Sequence, residues 1–76
     1  MDNLVNCFKY KGIVASIFQD ENGLYNFFFE YNKQQQYLSK FGYETEEEAV
    51  EKVKRIVDLV IEINDSVMNV FLLKIS

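Results

Sequence analysis

The stretch "GIVASIFQDENGLYNFFFEY", residues 12–31, decides the fold of this chain. Two runs rich in β-branched and aromatic residues, "GIVASIF" and "LYNFFFEY", flank the polar "DENG". Asn22 and Gly23 both tolerate the positive φ of a tight turn, and such a pair between two apolar runs signals a β-hairpin. Downstream, "NKQQ" makes a polar turn, and "QYLSKF", residues 36–41, reads as a third, shorter strand ending at Gly42. Upstream, "LVNCFKY", residues 4–10, reads either as another strand or as an extension bent at Gly12, with its pairing open. The expectation is an antiparallel meander sheet of three to four strands.

The strands give way to "TEEEAVEKVKRIVDLVIEI", residues 45–63. Thr45 can accept a hydrogen bond from an orphan backbone amide while Glu48 reaches back, the capping-box spacing. Glu46, Glu47 and Glu48 complement the positive end of a helix dipole. Ala49, Val53, Ile56, Val60 and Ile63 recur at intervals of four and three, which predicts a long amphipathic helix. The pairs Glu48–Lys52, Glu51–Arg55 and Lys54–Asp58 are spaced to support its exposed face. With Leu59 and Ile61 added, the apolar arc exceeds the roughly 100° stripe that one sheet face covers, so something besides the sheet should touch it. "NDS", residues 64–66, reads as a stop. The following "VMNVFLLKIS" reads as a final strand or tail packed on the sheet, although Val67 and Val70 continue the helical spacing. The fold class is therefore α+β: a single domain over residues 1–76, with a meander sheet packed by one long α-helix and an extra C-terminal strand.

The aromatic run supplies core bulk to a chain too short to build a core otherwise, since a domain of this size buries only roughly 60% of its unfolded surface. With a hairpin loop of two or four residues, Val14, Ser16, Phe18, Tyr25, Phe27, Phe29 and Tyr31 share one face, and Ile13, Ala15, Ile17, Leu24 and Phe28 the other. A three-residue loop regroups the sides but leaves both apolar. One helix covers one face, expected to be the aromatic-rich one. The second face is then a candidate partner-binding surface built from Ile13, Ile17, Phe28 and Leu38, with Phe71 and Leu72 of the C-terminal segment completing it. It would be covered by the chain's own termini, by a second copy in a homodimer, or by another protein.

Composition narrows the chemistry. The chain has no histidine, which excludes His-based acid–base catalysis, Cys-His and Ser-His nucleophile activation, and His-containing metal sites. It has neither a glycine-rich phosphate loop nor a paired-cysteine motif, and "DENG" lacks the remaining ligands of a calcium loop. Cys7 reads as a small packing residue. No catalytic residue, metal ligand or cofactor is expected, and the protein is read as a non-enzyme. The net charge of −4, with scattered lysines, disfavours nucleic acid and suits a basic protein partner. No apolar run reaches the length of a membrane span, and the N-terminus lacks the pattern of a secretory signal, so a cytoplasmic protein is expected.

The order of strands followed by "FGYETEEEAVEKVKRIVDLV" resembles the small antitoxin domains of the HicB type over roughly residues 12–59. The resemblance is carried by the "QDENGLY" turn and by a glycine–threonine–glutamate–alanine segment opening the helix. Gly42, Thr45, Glu47, Glu48 and Ala49 stand in similar roles, with one extra residue between glycine and threonine. The proline-containing segment usual between the strands of such domains is absent. The resemblance implies a partial ribonuclease-H-like fold without catalytic residues, which neutralises a small ribonuclease by protein contact. An acidic, phage- or plasmid-type inhibitor of a host nuclease or defence complex fits the same features. The outline also resembles arm-type DNA-binding domains of integrases, a second expectation that requires a basic sheet.

Overall fold

The computed structural model describes residues 3–75 of the chain, and the side-chain surroundings of residues 3–66. Four strands, β1 (Asn3–Tyr10), β2 (Ile13–Gln19), β3 (Tyr25–Asn32) and β4 (Gln35–Leu38), form one antiparallel meander in the order β1-β2-β3-β4. A single helix, α1 (Glu46–Ile75), packs on the central strands β2 and β3. The fold is α+β, as the sequence pattern implies.

Two turns set the register of the meander, and the tight one is not the one the sequence suggests. The tight two-residue turn is Lys11-Gly12, with φ of 52° and 82°. Positive φ at both central positions matches the right-handed twist of the flanking strands. It settles the pairing of β1, whose residues run from Tyr10 opposite Ile13 to Asn3 opposite Gln19. The Asn22-Gly23 pair lies instead inside a five-residue loop, residues 20–24, between Gln19 and its partner Tyr25. Asp20 organises this loop. Its Oδ1 accepts the amides of Asn22 and Leu24 at 2.9 and 3.0 Å, and its Oδ2 accepts Asn26 Nδ2. The Leu24 amide foremost, then those from Asn22 and Asn26, hold its carboxyl below the usual aspartate range.

An odd loop pairs odd residues with odd: Ala15 faces Phe29, and Ile17 faces Phe27. Ile13, Ala15 and Ile17 therefore share the helix-covered face with Phe27 and Phe29, and all five are buried with Ala49, Val53, Val57 and Val60. The helix does cover the aromatic face. Phe27 stacks on Tyr43 and Phe29 on Tyr37, at centroid separations of 6.2 and 4.9 Å, and Tyr25 and Tyr31 pack at the margin. Val14, Ser16 and Phe18, grouped with these aromatics on the even-loop reading, lie on the opposite face instead.

β4 is shorter than expected and ends at Leu38. The chain then returns to make a two-hydrogen-bond bridge between Tyr43 and Tyr25, both bonds 2.8 Å. Gly42 is required there by space: a Cβ would lie 2.4 Å from Leu24 Cβ. Three residues later Thr45 Oγ1 accepts the amide of Glu48 at 3.1 Å and opens α1.

The helix does not stop at residues 64–66, and the expected C-terminal strand is replaced by its continuation to Ile75. Residues 46–76 contain no proline or glycine to end it. Asn64 folds its side chain back on the helix, donating to the Val60 carbonyl at 2.7 Å.

Candidate functional site

The face of the sheet away from α1 has no element over it among the described residues. Its centre is a row crossing all four strands, Cys7–Ser16–Phe28–Leu38, set by consecutive register pairs. Toward one end of the sheet the row gives way to Leu4, Phe18 and Asn26, and toward the other to Lys9, Val14, Glu30 and Gln36. Leu38 is 68% exposed, Val14 53% and Leu4 59%, while Phe18 and Phe28 are half-buried. A shallow depression of about 490 Å³ lies at the end of this face nearest Gly12, with Val14, Ser16, Phe28, Glu30 and Lys33 in its walls. Open faces of this size and polarity mark interaction surfaces in small domains.

The six residues expected to form a partner-binding surface fall into three groups. Phe28 and Leu38 are brought together as neighbours in the central row. Ile13 and Ile17 are buried under the helix and leave the candidate surface, because the five-residue loop reverses the parity on which they were placed beside Phe28. Phe71 and Leu72 lie outside the described side chains. Val14, Phe18 and Leu4 belong to the surface and were missed. The signal that would have found them was Asp20, an Asx-type residue able to organise a loop longer than a tight turn.

The remaining unusual electrostatics are structural. Asp58, on α1, accepts Tyr10 Oη at 3.2 Å and pairs with Lys11 Nζ at 2.6 Å. The Lys11 ammonium foremost, then the Tyr10 hydroxyl, holds the Asp58 carboxyl below its usual range, and the same pair raises Lys11. Asp58 thus ties the helix to the β1–β2 turn instead of pairing with Lys54 along its own helix. Lys54 lies over the Phe8 and Tyr10 rings, 5.8 and 5.5 Å from their centroids. This cation–π contact shields the edge of the core. Among the described residues no cluster of acidic or sulfur ligands is disposed to hold a metal. No described helix is long and apolar enough to cross a membrane.

Two apolar side chains of α1, Leu59 and Ile63, are 51% and 59% exposed. The broad apolar arc of the helix is therefore only partly used by its own sheet.

No protein-family model, curated protein or solved structure matches the chain.

Proposed function

We propose that this protein is a non-catalytic binding module that holds a protein segment on the open face of its sheet. The observation that supports this reading is the row Cys7–Ser16–Phe28–Leu38, flanked by Val14, Leu4 and Phe18 and left without cover among the described residues. Burying apolar surface of this kind is the dominant favourable term in protein association. Asp20, Lys11 and Asp58, whose titration is shifted, are each engaged in a turn or a clamp. Lys9, Glu30 and, in the wall of the depression, Lys33 are the charged residues described on this face, too few cations to follow a phosphate backbone. Such a module acts by occupancy, inhibiting or recruiting what it holds, in keeping with the neutralising role that the HicB resemblance implies.

The test compares capture of polypeptide, the chain itself included, by immobilised protein and by the Phe28→Asp and Leu38→Asp variants, each checked for folding by circular dichroism. The expected result is a bound polypeptide retained by the parent and lost by both folded variants. Retention that is nil, or equal in all three, overturns the proposal.

A further inference from the structure

The open face has a size pattern of its own. In the central row the small side chains, Cys7 and Ser16, occupy β1 and β2, and the large ones, Phe28 and Leu38, occupy β3 and β4. Ser16 Oγ lies 3.9 Å from Cys7 Sγ, so the two small residues form one hollow beside the two large ones. One row toward the Asp20 loop the order is reversed, with Phe18 on β2 and the smaller Asn26 on β3. Leu38 stands 68% exposed at the edge of this relief. Knobs and hollows of the same face are thus equal in number and lie on opposite sides of its midline, the gap between β2 and β3.

Stacked sheets lie about 10 Å apart and, when aligned, keep their strand directions within about 30°. A two-fold axis parallel to the strands, lying under the gap between β2 and β3, sets β1 against β4 and β2 against β3 of a second copy. Each row then meets itself reversed. Ser16 falls opposite Phe28, Cys7 opposite Leu38 and Phe18 opposite Asn26, twice each, so that a large side chain always enters a small partner's space. Native packing density requires such interdigitation. The charges follow the same symmetry. Within one copy Lys9 and Glu30 are two strands, about 10 Å, apart. Across the axis Glu30 faces Val14 of the second copy, directly beside that copy's Lys9, and opposite charges meet at both ends of the row.

We propose that the open face is occupied by the open face of a second copy of this chain, stacked across that axis, so that the protein is a homodimer of four layers in the order helix, sheet, sheet, helix. This rests on the reading of the open face as a protein-binding surface and names its occupant. Four strands, the outer and central ones up to eight residues long, give a face of about 26 by 19 Å. The contact therefore covers about 1,000 Å² over the two copies before side-chain relief is added, the size at which specific interfaces begin. It is self-complementary and closed, and it leaves each sheet covered on both sides. The Ser16–Phe28 contacts lie nearest the axis, where the twist between the sheets displaces them least.

The test exchanges a knob and its hollow. Solution mass is measured by light scattering across a concentration range for the parent, for Ser16→Phe, for Phe28→Ser, for the double variant with both changes, and for an equimolar mixture of the two single variants. The parent should have twice the 9.0 kDa chain mass. Ser16→Phe sets two large rings against each other and Phe28→Ser leaves two hollows, so each should raise the dissociation midpoint by about tenfold or more with helical dichroism intact. The double variant and the mixture should both bring the midpoint back toward that of the parent, because each again places one ring opposite one serine at both contacts. A folded monomeric parent overturns the dimer, while the capture experiment above still tests the open face for another occupant. A dimer indifferent to both single variants is built on a different surface and overturns the proposal. A dimer weakened by both but restored in neither combination overturns the facing of β2 on β3. If either single variant fails to fold, Cys7→Leu with Leu38→Ala makes the same exchange at the exposed corners of the row.

Discussion

Phe28 and Phe29 are adjacent, chemically identical and in the middle of one strand, yet they have opposite fates. Phe29 is fully buried between Ala15, Tyr37 and the helix, whereas Phe28 sits half-exposed in a row with Cys7, Ser16 and Leu38. Both faces of this sheet carry large apolar residues, the open one mixed with Lys9, Ser16, Asn26, Glu30 and Gln36. They differ in what the described chain places over them: strand register allots side chains to faces, and the position of one helix converts one face into core and leaves the other open.

The sharpest way to break this comparison is to truncate the buried member. Phe29→Ala should cost about 3–5 kcal/mol, against a total of roughly 4–11 kcal/mol for a chain of this length, and urea denaturation should find it largely unfolded or nearly so. A small loss would mean that the helix does not seal that face. Gly42→Ala comes next, since its Cβ must displace Leu24 or the Tyr25–Tyr43 bridge that delivers the chain from sheet to helix. Overpacking of this kind costs about 1–3 kcal/mol, read as a lower thermal midpoint. Thr45→Ala, removing the cap that starts the covering helix, should cost about 1 kcal/mol. On the open face, Leu38→Asp should change the stability of the single chain by less than about 0.5 kcal/mol in dilute solution. A large loss there would show that the face is core.

The smallest effect expected is on pH dependence. Asp20 and Asp58 both have depressed carboxyl values, so the stability they contribute is present at neutral pH and is lost as pH falls through their folded values, below the ordinary aspartate range. Asp58→Asn should therefore shallow the acid limb of a thermal-midpoint profile. Because the pair with Lys11 is well exposed, added salt should shallow it too.

Much of this was legible in the residues. The apolar spacing from Ala49 to Val60, the Thr45 cap and the β-branched runs each report on local backbone geometry, and local geometry is what a short stretch of sequence constrains. The core role of Phe27 and Phe29 was legible too. The parity of the hairpin was not, because Asn22-Gly23 is compatible with both a tight turn and the wider loop that Asp20 organises, and one residue of difference exchanges every side chain between faces. That single uncertainty placed Ile13 and Ile17 on the candidate surface and kept Val14 and Phe18 off it. The end of the helix was obscured for a related reason. Residues 64–66 have the composition of a cap, but Asn64 can equally bond back to Val60, and no proline or glycine chooses between the two.

The sequence by itself thus determined the order of meander strands followed by a helix, the place where that helix begins and the lack of histidine, because turn preference, apolar period and side-chain chemistry are properties of neighbouring residues. Only the tertiary structure decided which face is core, that Lys11-Gly12 is the tight turn, and that Asp58 clamps the helix to it. Those outcomes depend on register and on contacts between residues as far apart as Tyr10 and Asp58. A periodic pattern says that a face is apolar, but only the packed chain says what lies against it.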